Sequence, residues 1–118
     1  MMRFNSTKGL IIVNTRLYGP SGDIVVRLAL DTGASSTVVR NALLVTIGYN
    51  PSASLRTVSL TTGSRVESAT RIEIDRLAAL GHERVNFSVI AYTLPGTAAV
   101  DGVLGLDFLR NHYTRPHA

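Results

Sequence analysis

An apolar run that ends in a carboxylate is the feature of this sequence that most constrains its fold. Residues Leu28–Leu30 lead directly into Asp31, Thr32 and Gly33. Burying an ionised acid at the end of an apolar strand is unfavourable, so either backbone N–H groups satisfy Asp31 or it shares a proton with a second acid. Because glycine tolerates a sharp turn, Gly33 can bring its own N–H close to the carboxylate. We therefore expect a strand that ends in a tight turn at Asp31.

The segment that precedes Asp31 has the pattern of a β-hairpin. Two runs rich in β-branched residues, 10–17 and 24–30, flank the turn-forming residues Gly19–Asp23. The period of two from Ile24 to Leu30 is typical of a strand with one buried face. The hairpin would place Asp31 at the end of its second strand.

After the Asp31 turn, the sequence predicts a short strand and a short helix. Thr37–Val39 has the β-branched composition of a strand. Asn41 is placed to cap a helix that continues through Ile47, and Gly48 is placed to end it.

The middle of the chain predicts a meander of antiparallel strands. Leu55–Leu60 and the residues from Arg65 onward form a second hairpin with Gly63 near its tip. Further alternating strands follow on both sides of a turn at Gly81–Glu83, and Leu94–Gly96 ends the meander.

The last apolar segment, Val103–Leu109, is interrupted by Gly105 and continues as a short terminal helix through His112. At 118 residues, with 45% hydrophobic and 17% charged residues, the chain suits one folded domain rather than a disordered segment. We therefore predict one mostly-β domain over residues 1–118, with one or two short helices.

The composition excludes several classes of function. Without cysteine, the chain has no disulfides, thiolate metal sites or cysteine nucleophiles. Its net charge of +4 comes from 11 Arg and one Lys that are scattered rather than clustered, and its 7 aromatic residues are not interleaved with them, so no nucleic-acid partner is expected. No apolar stretch is long enough to cross a bilayer and no signal-peptide pattern is present, so we expect no membrane association and a cytoplasmic location.

Histidine and serine chemistry have no support either. His82 lies in an expected turn, and His112 and His117 lie near the C-terminus, so each is expected at the surface. No metal-binding spacing and no Gly-x-Ser-x-Gly motif occur. We expect neither a metal nor another cofactor.

Two motifs resemble those of the retropepsin-like aspartic proteases, the family of the retroviral proteases and their bacterial single-lobe relatives. The two apolar residues before Asp31, together with Asp31–Ser35, match the family's active-site motif. Val103–Gly105 followed by Asp107–Leu109 matches its second signature. Thr61–Gly63 lies where the family's flap hairpin is expected. The resemblance covers nearly the whole chain, and it implies a closed single-lobe acid-protease β-barrel.

The resemblance also implies site roles. If the side chain of Asp101 faces the cleft, we expect a preference for a basic or polar substrate side chain nearby. The implied roles are catalysis for Asp31; support of the active site for Thr32, Gly33 and Ala34; the flap for Thr61, Thr62 and Gly63; and the wall of the substrate cleft for Asp101, Gly102, Val103 and Leu104.

Only one Asp-Thr/Ser-Gly triplet occurs in the sequence. Peptide hydrolysis by carboxylates takes two of them, one as general base and one as general acid. An isologous dimer supplies the second, because its two-fold axis brings the same residue from each subunit together. The expected function is therefore that of a homodimeric aspartic endopeptidase acting on peptides or proteins, in which the two acids hold one proton between them, as in aspartic proteases generally.

The sequence departs from the retroviral pattern at two places. Ser35, Ser36 and Leu106 stand where an acid–arginine ion pair links the active-site loop to the terminal helix. The tail Tyr113–Ala118 is polar and contains Pro116, whereas family members continue into an apolar strand that interleaves with its symmetry mate.

Alternative interpretations stay open at this point. One is a non-catalytic retropepsin-fold module that binds peptides or proteins, and another is an unrelated small β-barrel interaction domain, in which Asp31 substitutions would be silent. By itself, an Asp-Thr-Gly triplet is an ordinary turn with an Asx-type hydrogen bond. Asp107 is expected to be a structural residue of the helix N-terminus rather than a second catalytic acid.

Overall fold

The computed structural model describes residues 10–54, 56–62, 65–93 and 99–110, which form seven strands and two short α-helices. A single turn of 3-10 helix, Pro51–Ala53, precedes β4. The strands are β1 (Ile12–Gly19), β2 (Gly22–Leu30), β3 (Val38–Arg40), β4 (Thr57–Thr62), β5 (Arg65–Ala79), β6 (His82–Tyr92) and β7 (Gly102–Leu104), and the helices are α1 (Asn41–Thr46) and α2 (Leu106–Arg110).

Six of these strands close into a barrel, as expected. Their order is β1-β2-β7-β3-β6-β5, and pairing of Arg16–Tyr18 with Arg76–Ala78 joins β5 back to β1. Within the described residues, β4 pairs only with β5, so the β4–β5 hairpin extends beyond the barrel.

The hairpins predicted from turn signals are confirmed. β1 and β2 pair in register from Ile12 with Ala29 to Gly19 with Gly22, and β4, β5 and β6 form an antiparallel meander. The turn between β5 and β6 lies at Leu80 and Gly81, one residue before the expected position, so the exposed His82 begins β6.

The arrangement of β7 was not predicted. β7 lies between β2 and β3, parallel to β2 and antiparallel to β3, while β3 runs parallel to β6. A Cβ on Gly102 would lie 1.9 Å from the carbonyl oxygen of Val38. Glycine is therefore required where β7 enters between its two neighbours.

The barrel interior holds the apolar core. On β2, Val26 and Leu28 are fully buried while Val25 is exposed, which confirms the period of two. Phe108 of α2 packs edge-to-face against Phe87, with ring centroids 6.1 Å apart. The largest side chains that are fully buried are Phe108, Leu17, Leu28, Leu44, Ile47, Ile74, Leu77 and Leu104.

Helix α1 corrects one prediction. Asn41 does not cap it: Arg40 occupies the cap position and no side chain donates or accepts a capping hydrogen bond. The reason is that β3 continues directly into the helix, since the Arg40 N–H donates to Asp101 O (2.8 Å) and keeps Arg40 extended. The helix ends as predicted, with Gly48 at a φ of 105°.

Arg84 fixes α2 against the barrel. Its guanidinium lies 4.4 Å from the centroid of the Phe108 ring and donates to Phe108 O (2.7 Å). A cation at the C-terminal end of a helix is favourable. Burial lowers the pKa of Arg84 below the ordinary value for arginine.

Several predictions concern parts of the chain outside the described residues, namely Gly63 at the flap tip, the turn at Leu94–Gly96, and residues 111–118, which include His112 and His117. Where the structure does describe the chain, its longest helix has six residues, so no membrane-spanning helix is found there.

Candidate active site

Asp31 emerges from the end of β2 into a tight turn, as the sequence predicts. Its backbone N–H donates to Leu104 O of β7 (3.1 Å), and the Gly33 N–H donates to its carboxylate oxygen Oδ1 (2.9 Å). Asp31 is half-buried, while Thr32 and Gly33 are exposed. Of the two ways to satisfy the acid, the chain itself provides one, a backbone hydrogen bond.

The loop that carries Asp31 is closed by its own backbone and by the start of α2. The Ala34 N–H donates to Asp31 O (3.1 Å), and the Leu106 N–H donates to Ala34 O (2.9 Å). Residues 31–34 therefore contact the start of α2, about 70 residues later in the chain.

A buried threonine and an aspartate of α2 form the second link between the loop and the helix. The Thr37 N–H donates to Asp107 Oδ2 (3.0 Å), and the Thr37 hydroxyl donates to Asp107 Oδ1 (2.7 Å). The same hydroxyl accepts from the Gly105 N–H (3.1 Å), and Asp107 Oδ1 accepts from the Phe108 N–H at the start of α2 (2.8 Å). Asp107 is thus a structural residue of the helix N-terminus, as predicted, and its bonds to Thr37 connect loop and helix where this sequence lacks the retroviral ion pair.

Gly105 allows the helix to approach the loop this closely. A Cβ at Gly105 would lie 2.7 Å from Ser36 O and 2.9 Å from Ala34 O. Real Cβ atoms essentially never come that close to backbone oxygens. The glycine of the second sequence signature is therefore explained by contact with the Asp31 loop.

An open pocket of about 630 Å³ lies beside Asp31. This volume falls within the usual range of about 300–1,000 Å³ for ligand pockets. Residues of the Asp31 loop line it, and Val58 and Ser59 of β4, in the β4–β5 hairpin, line it as well. The lining residues are Asp31, Gly33, Ala34, Ser35, Ser36, Val38, Val58, Ser59, Arg71 and Ile90.

A sequence model of the gag-polyprotein putative aspartyl protease family matches residues 21–111. The chain belongs to this family. The crystal structure of a retropepsin-like aspartic protease from Rickettsia conorii superposes with a TM-score of 0.66 at 18% identity, covering 90% of this chain and 82% of that one. At this identity the likeness supports a shared fold, the retropepsin-like barrel. No curated protein sequence matches this chain.

Family membership removes one of the open alternatives. An interaction barrel unrelated to proteases is inconsistent with both the family match and the retropepsin-like fold. The first sequence signature of the family, at Asp31, and the second, at Gly105, meet in one loop–helix junction.

The residues expected in the wall of the substrate cleft do not line the pocket beside Asp31, and their substrate roles stay predictions. The Asp101 carboxylate accepts from the Arg27 N–H (2.8 Å) and lies 3.8 Å from Arg40 Nε. Neither it nor Gly102–Leu104 lines the pocket beside Asp31. Of the flap residues, Thr61 and Thr62 end β4, where Thr62 pairs with Arg65.

Two residues near Asp31 were not predicted from the sequence: Thr37, which bonds the loop to α2, and Arg71, which lines the pocket. An acid in the first turn of α2 signals a helix N-terminus, but its partner Thr37 lies 70 residues earlier in the chain. Arg71 lines the pocket from β5, and no motif marks it. No cluster of His, Cys, Asp or Glu suited to a metal ion occurs among the residues that the structure describes.

Proposed function

We propose that this chain is an aspartic endopeptidase that acts as a homodimer, with Asp31 of each subunit forming the catalytic pair. The observation that carries the proposal is an acid, Asp31, that is held by a backbone N–H and lines a pocket of about 630 Å³. The family match supports the aspartyl protease chemistry.

A second subunit accounts for the exposure of the triplet. Thr32 and Gly33 are exposed although they follow a buried strand, which suits a surface that another subunit covers. A two-fold axis beside this surface would bring the two Asp31 carboxyl groups together. At such a separation both groups cannot ionise, so the pair would hold one proton, as aspartic proteases do.

The shared proton defines the roles of the two acids in catalysis. The ionised Asp31 removes a proton from a water molecule, whose oxygen attacks the carbonyl carbon of the scissile peptide bond. The protonated Asp31 donates its proton to the carbonyl oxygen, which gives a neutral tetrahedral diol. The Asp31 that took the proton from water then gives it to the peptide nitrogen, while the other Asp31 takes a proton from a diol hydroxyl. The carbon–nitrogen bond breaks, an acid and an amine are released, and the pair again holds one proton. The Gly33 N–H holds the carboxylate in place for these transfers.

The β4–β5 hairpin is the element suited to cover the peptide. β4 is an edge strand within the described sheet, so an extended peptide could lie beside it and use its free backbone groups. Val58 and Ser59 already reach the pocket. Closure of the hairpin would exclude water from the reacting groups.

A mixing experiment tests both the chemistry and the pairing. Cleavage of a peptide library should rise more steeply than linearly with enzyme concentration, in the range where sedimentation shows the dimer forming. Asp31→Asn should lower kcat by about a thousandfold or more, because one acid–base group is lost from each subunit. An excess of Asp31→Asn protein should also inhibit the wild type, since mixed dimers contain one acid.

The matched control is Asp75→Asn, an exposed aspartate on β5. It should keep full activity, and an excess of it should not inhibit the wild type. Cleavage by protein that sedimentation shows to be strictly monomeric would refute the dimeric mechanism.

A catalytically inactive peptide-binding module is the second candidate. It is favoured by one observation, that residues of a single chain already form a pocket of about 630 Å³. In that case wild type and Asp31→Asn would bind library peptides equally well, and neither would cleave them.

A further inference from the structure

We propose that Arg71 makes this site selective for peptides with an acidic side chain, aspartate or glutamate, in the pocket beside Asp31. This inference rests on the proposed endopeptidase function, and it assigns to that site a substrate class. Arg71 would act as a specificity residue at the base of the flap hairpin.

Arg71 has a fixed backbone and an unengaged side chain. Its N–H donates to Arg56 O (2.8 Å), and its carbonyl oxygen accepts from the Ser54 hydroxyl (3.1 Å). β5 pairs it with Ile90, which also lines the pocket. Within the described residues, the half-buried Arg71 guanidinium makes no hydrogen bond or ion pair.

Other half-buried arginines of the barrel have partners. Arg40 lies near Asp101 and donates to Val100 O, and Arg84 donates to Phe108 O. Arg76 contacts Glu83 and the Tyr18 ring. A partly buried guanidinium with no such partner is costly, and a carboxylate from a ligand would offset that cost.

The rest of the pocket suits a carboxylate. Among the residues that the structure describes, Asp31 and Arg71 are the only charged ones that line it. Ser35, Ser36 and Ser59 add hydroxyl groups that can donate to a carboxylate, and the remaining walls are apolar or backbone. A lysine or arginine side chain would instead be repelled by Arg71.

This expectation differs from the one based on Asp101, which favours a basic or polar substrate side chain. The Asp101 carboxylate is already bonded to the Arg27 N–H and lies near Arg40, whereas Asp31 is the one acid among the described residues that line the pocket with Arg71. The symmetry of the proposed dimer would give each half of the cleft one Arg71. Acidic residues on both sides of the scissile bond should therefore favour cleavage more than one.

The test uses peptides that share one cleavable sequence and differ only in glutamate, glutamine or lysine at each position near the scissile bond. At one position on each side of the scissile bond, the glutamate peptide should have a kcat/KM about tenfold higher than the glutamine peptide. The lysine peptide should have a lower kcat/KM than the glutamine peptide. The preference should weaken with added salt. Arg71→Gln should abolish the preference while cleavage of the glutamine peptide is retained, and Arg71→Glu should shift it to lysine.

Arg76→Gln on the same strand is the control and should keep the wild-type preference. Equal cleavage of the glutamate and glutamine peptides by the wild type would overturn this inference and leave the protease function standing. Loss of all activity in Arg71→Gln would also overturn it, because Arg71 would then act on Asp31 rather than on the substrate. Failure of the wild type to cleave any peptide would overturn the protease function, and the inference with it.

Discussion

The Asp31 loop and the β4–β5 hairpin both line the pocket beside Asp31, but they are held in different ways. The loop is tied to β7 and α2, about 70 residues away in sequence, by hydrogen bonds through Leu104 O, Ala34 O and Asp107. The hairpin is held by pairing between β4 and β5, two strands adjacent in sequence. Long-range hydrogen bonds hold the loop that carries Asp31, while pairing between sequence neighbours holds the β4–β5 hairpin.

This difference would suit the proposed peptide hydrolysis. A catalytic group must stay within a fraction of an ångström of its productive geometry, whereas a cover must open for substrate and release product. Segments that lack tertiary bonds open at lower free energy than core strands. The fold thus places a long-range-bonded loop and a locally paired hairpin beside the same pocket.

The largest expected effect comes from pushing α2 away from the loop. Gly105→Ala places a Cβ within 2.7 Å of Ser36 O, so the loop or the helix must move, at a cost of about 3 kcal/mol in unfolding free energy. Activity should fall further than the stability loss explains. Urea unfolding and peptide cleavage at a temperature where the variant stays folded measure the two effects.

Gly81→Ala is its control, at the turn between β5 and β6. The added Cβ meets nothing within 4 Å there, and only the positive φ of 78° is unfavourable. It should cost about 1 kcal/mol and leave kcat unchanged. If both variants lose activity in proportion to stability, the loop–helix contact has no special part in holding Asp31.

The next largest effect comes from the Thr37 hydroxyl. Thr37→Val keeps the shape but removes the donor to Asp107 and leaves the Gly105 N–H without an acceptor, which should cost about 2 kcal/mol. Thr15 is equally buried, yet its hydroxyl donates only to Val13 O, two residues away.

Thr15→Val should therefore cost less than about 1 kcal/mol, because it leaves no N–H unsatisfied. Thermal unfolding of both variants, with Thr37→Ser as a variant that keeps the hydroxyl, measures the difference. Equal losses for Thr37→Val and Thr15→Val would show that the long-range link adds nothing to stability.

A smaller contrast is expected in the free protein. Backbone amides of β4 should exchange with deuterium at least about tenfold faster than those of β2, because β4 has neighbours on one side only. A bound statine-type inhibitor should slow exchange in β4 and change β2 little. Equal protection of β4 and β2 before inhibitor is added would show that the β4–β5 hairpin opens no more readily than the strand that leads to Asp31.

The smallest effect is expected at Tyr49, remote from both regions. Its hydroxyl donates to Tyr18 O (3.0 Å) and accepts from the Asp75 N–H (2.7 Å), and burial, with the nearby Asp75 charge as a lesser cause, raises its pKa above the ordinary 10.0. Tyr49→Phe should cost about 1 kcal/mol at neutral pH.

The pH dependence has a defined sign. Tyr49 ionises near pH 10.0 in the unfolded chain and at a higher pH in the folded one. The stability that the neutral phenol contributes is therefore present below pH 10.0 and is lost as the pH rises through the folded pKa. The stability gap between wild type and Tyr49→Phe should therefore narrow above pH 10. Urea unfolding between neutral pH and pH 11 checks this, and a gap that widens would contradict it.

Local features of the sequence predicted the hairpins, the α1 terminus at Gly48 and the turn at Asp31. The position of β7 between β2 and β3 could not be predicted in this way, because pairing between residues 28–30 and 102–104 leaves no local pattern. The prediction that Asn41 caps α1 was wrong because the preceding residue, Arg40, occupies the cap position and its N–H is bonded to Asp101 O, far away in sequence. The links from Thr37 to Asp107 and the place of Arg71 in the pocket likewise depend on tertiary contacts.

The insertion of β7 has a consequence for biosynthesis. The strand between β2 and β3 comes from residues 102–104, which the ribosome makes long after the acid at position 31. Contacts so distant in sequence form late and slowly. A nascent chain that has not yet reached residue 102 therefore carries Asp31 without the strand that the Asp31 N–H bonds to, so the loop takes its final position only after β7 has been made.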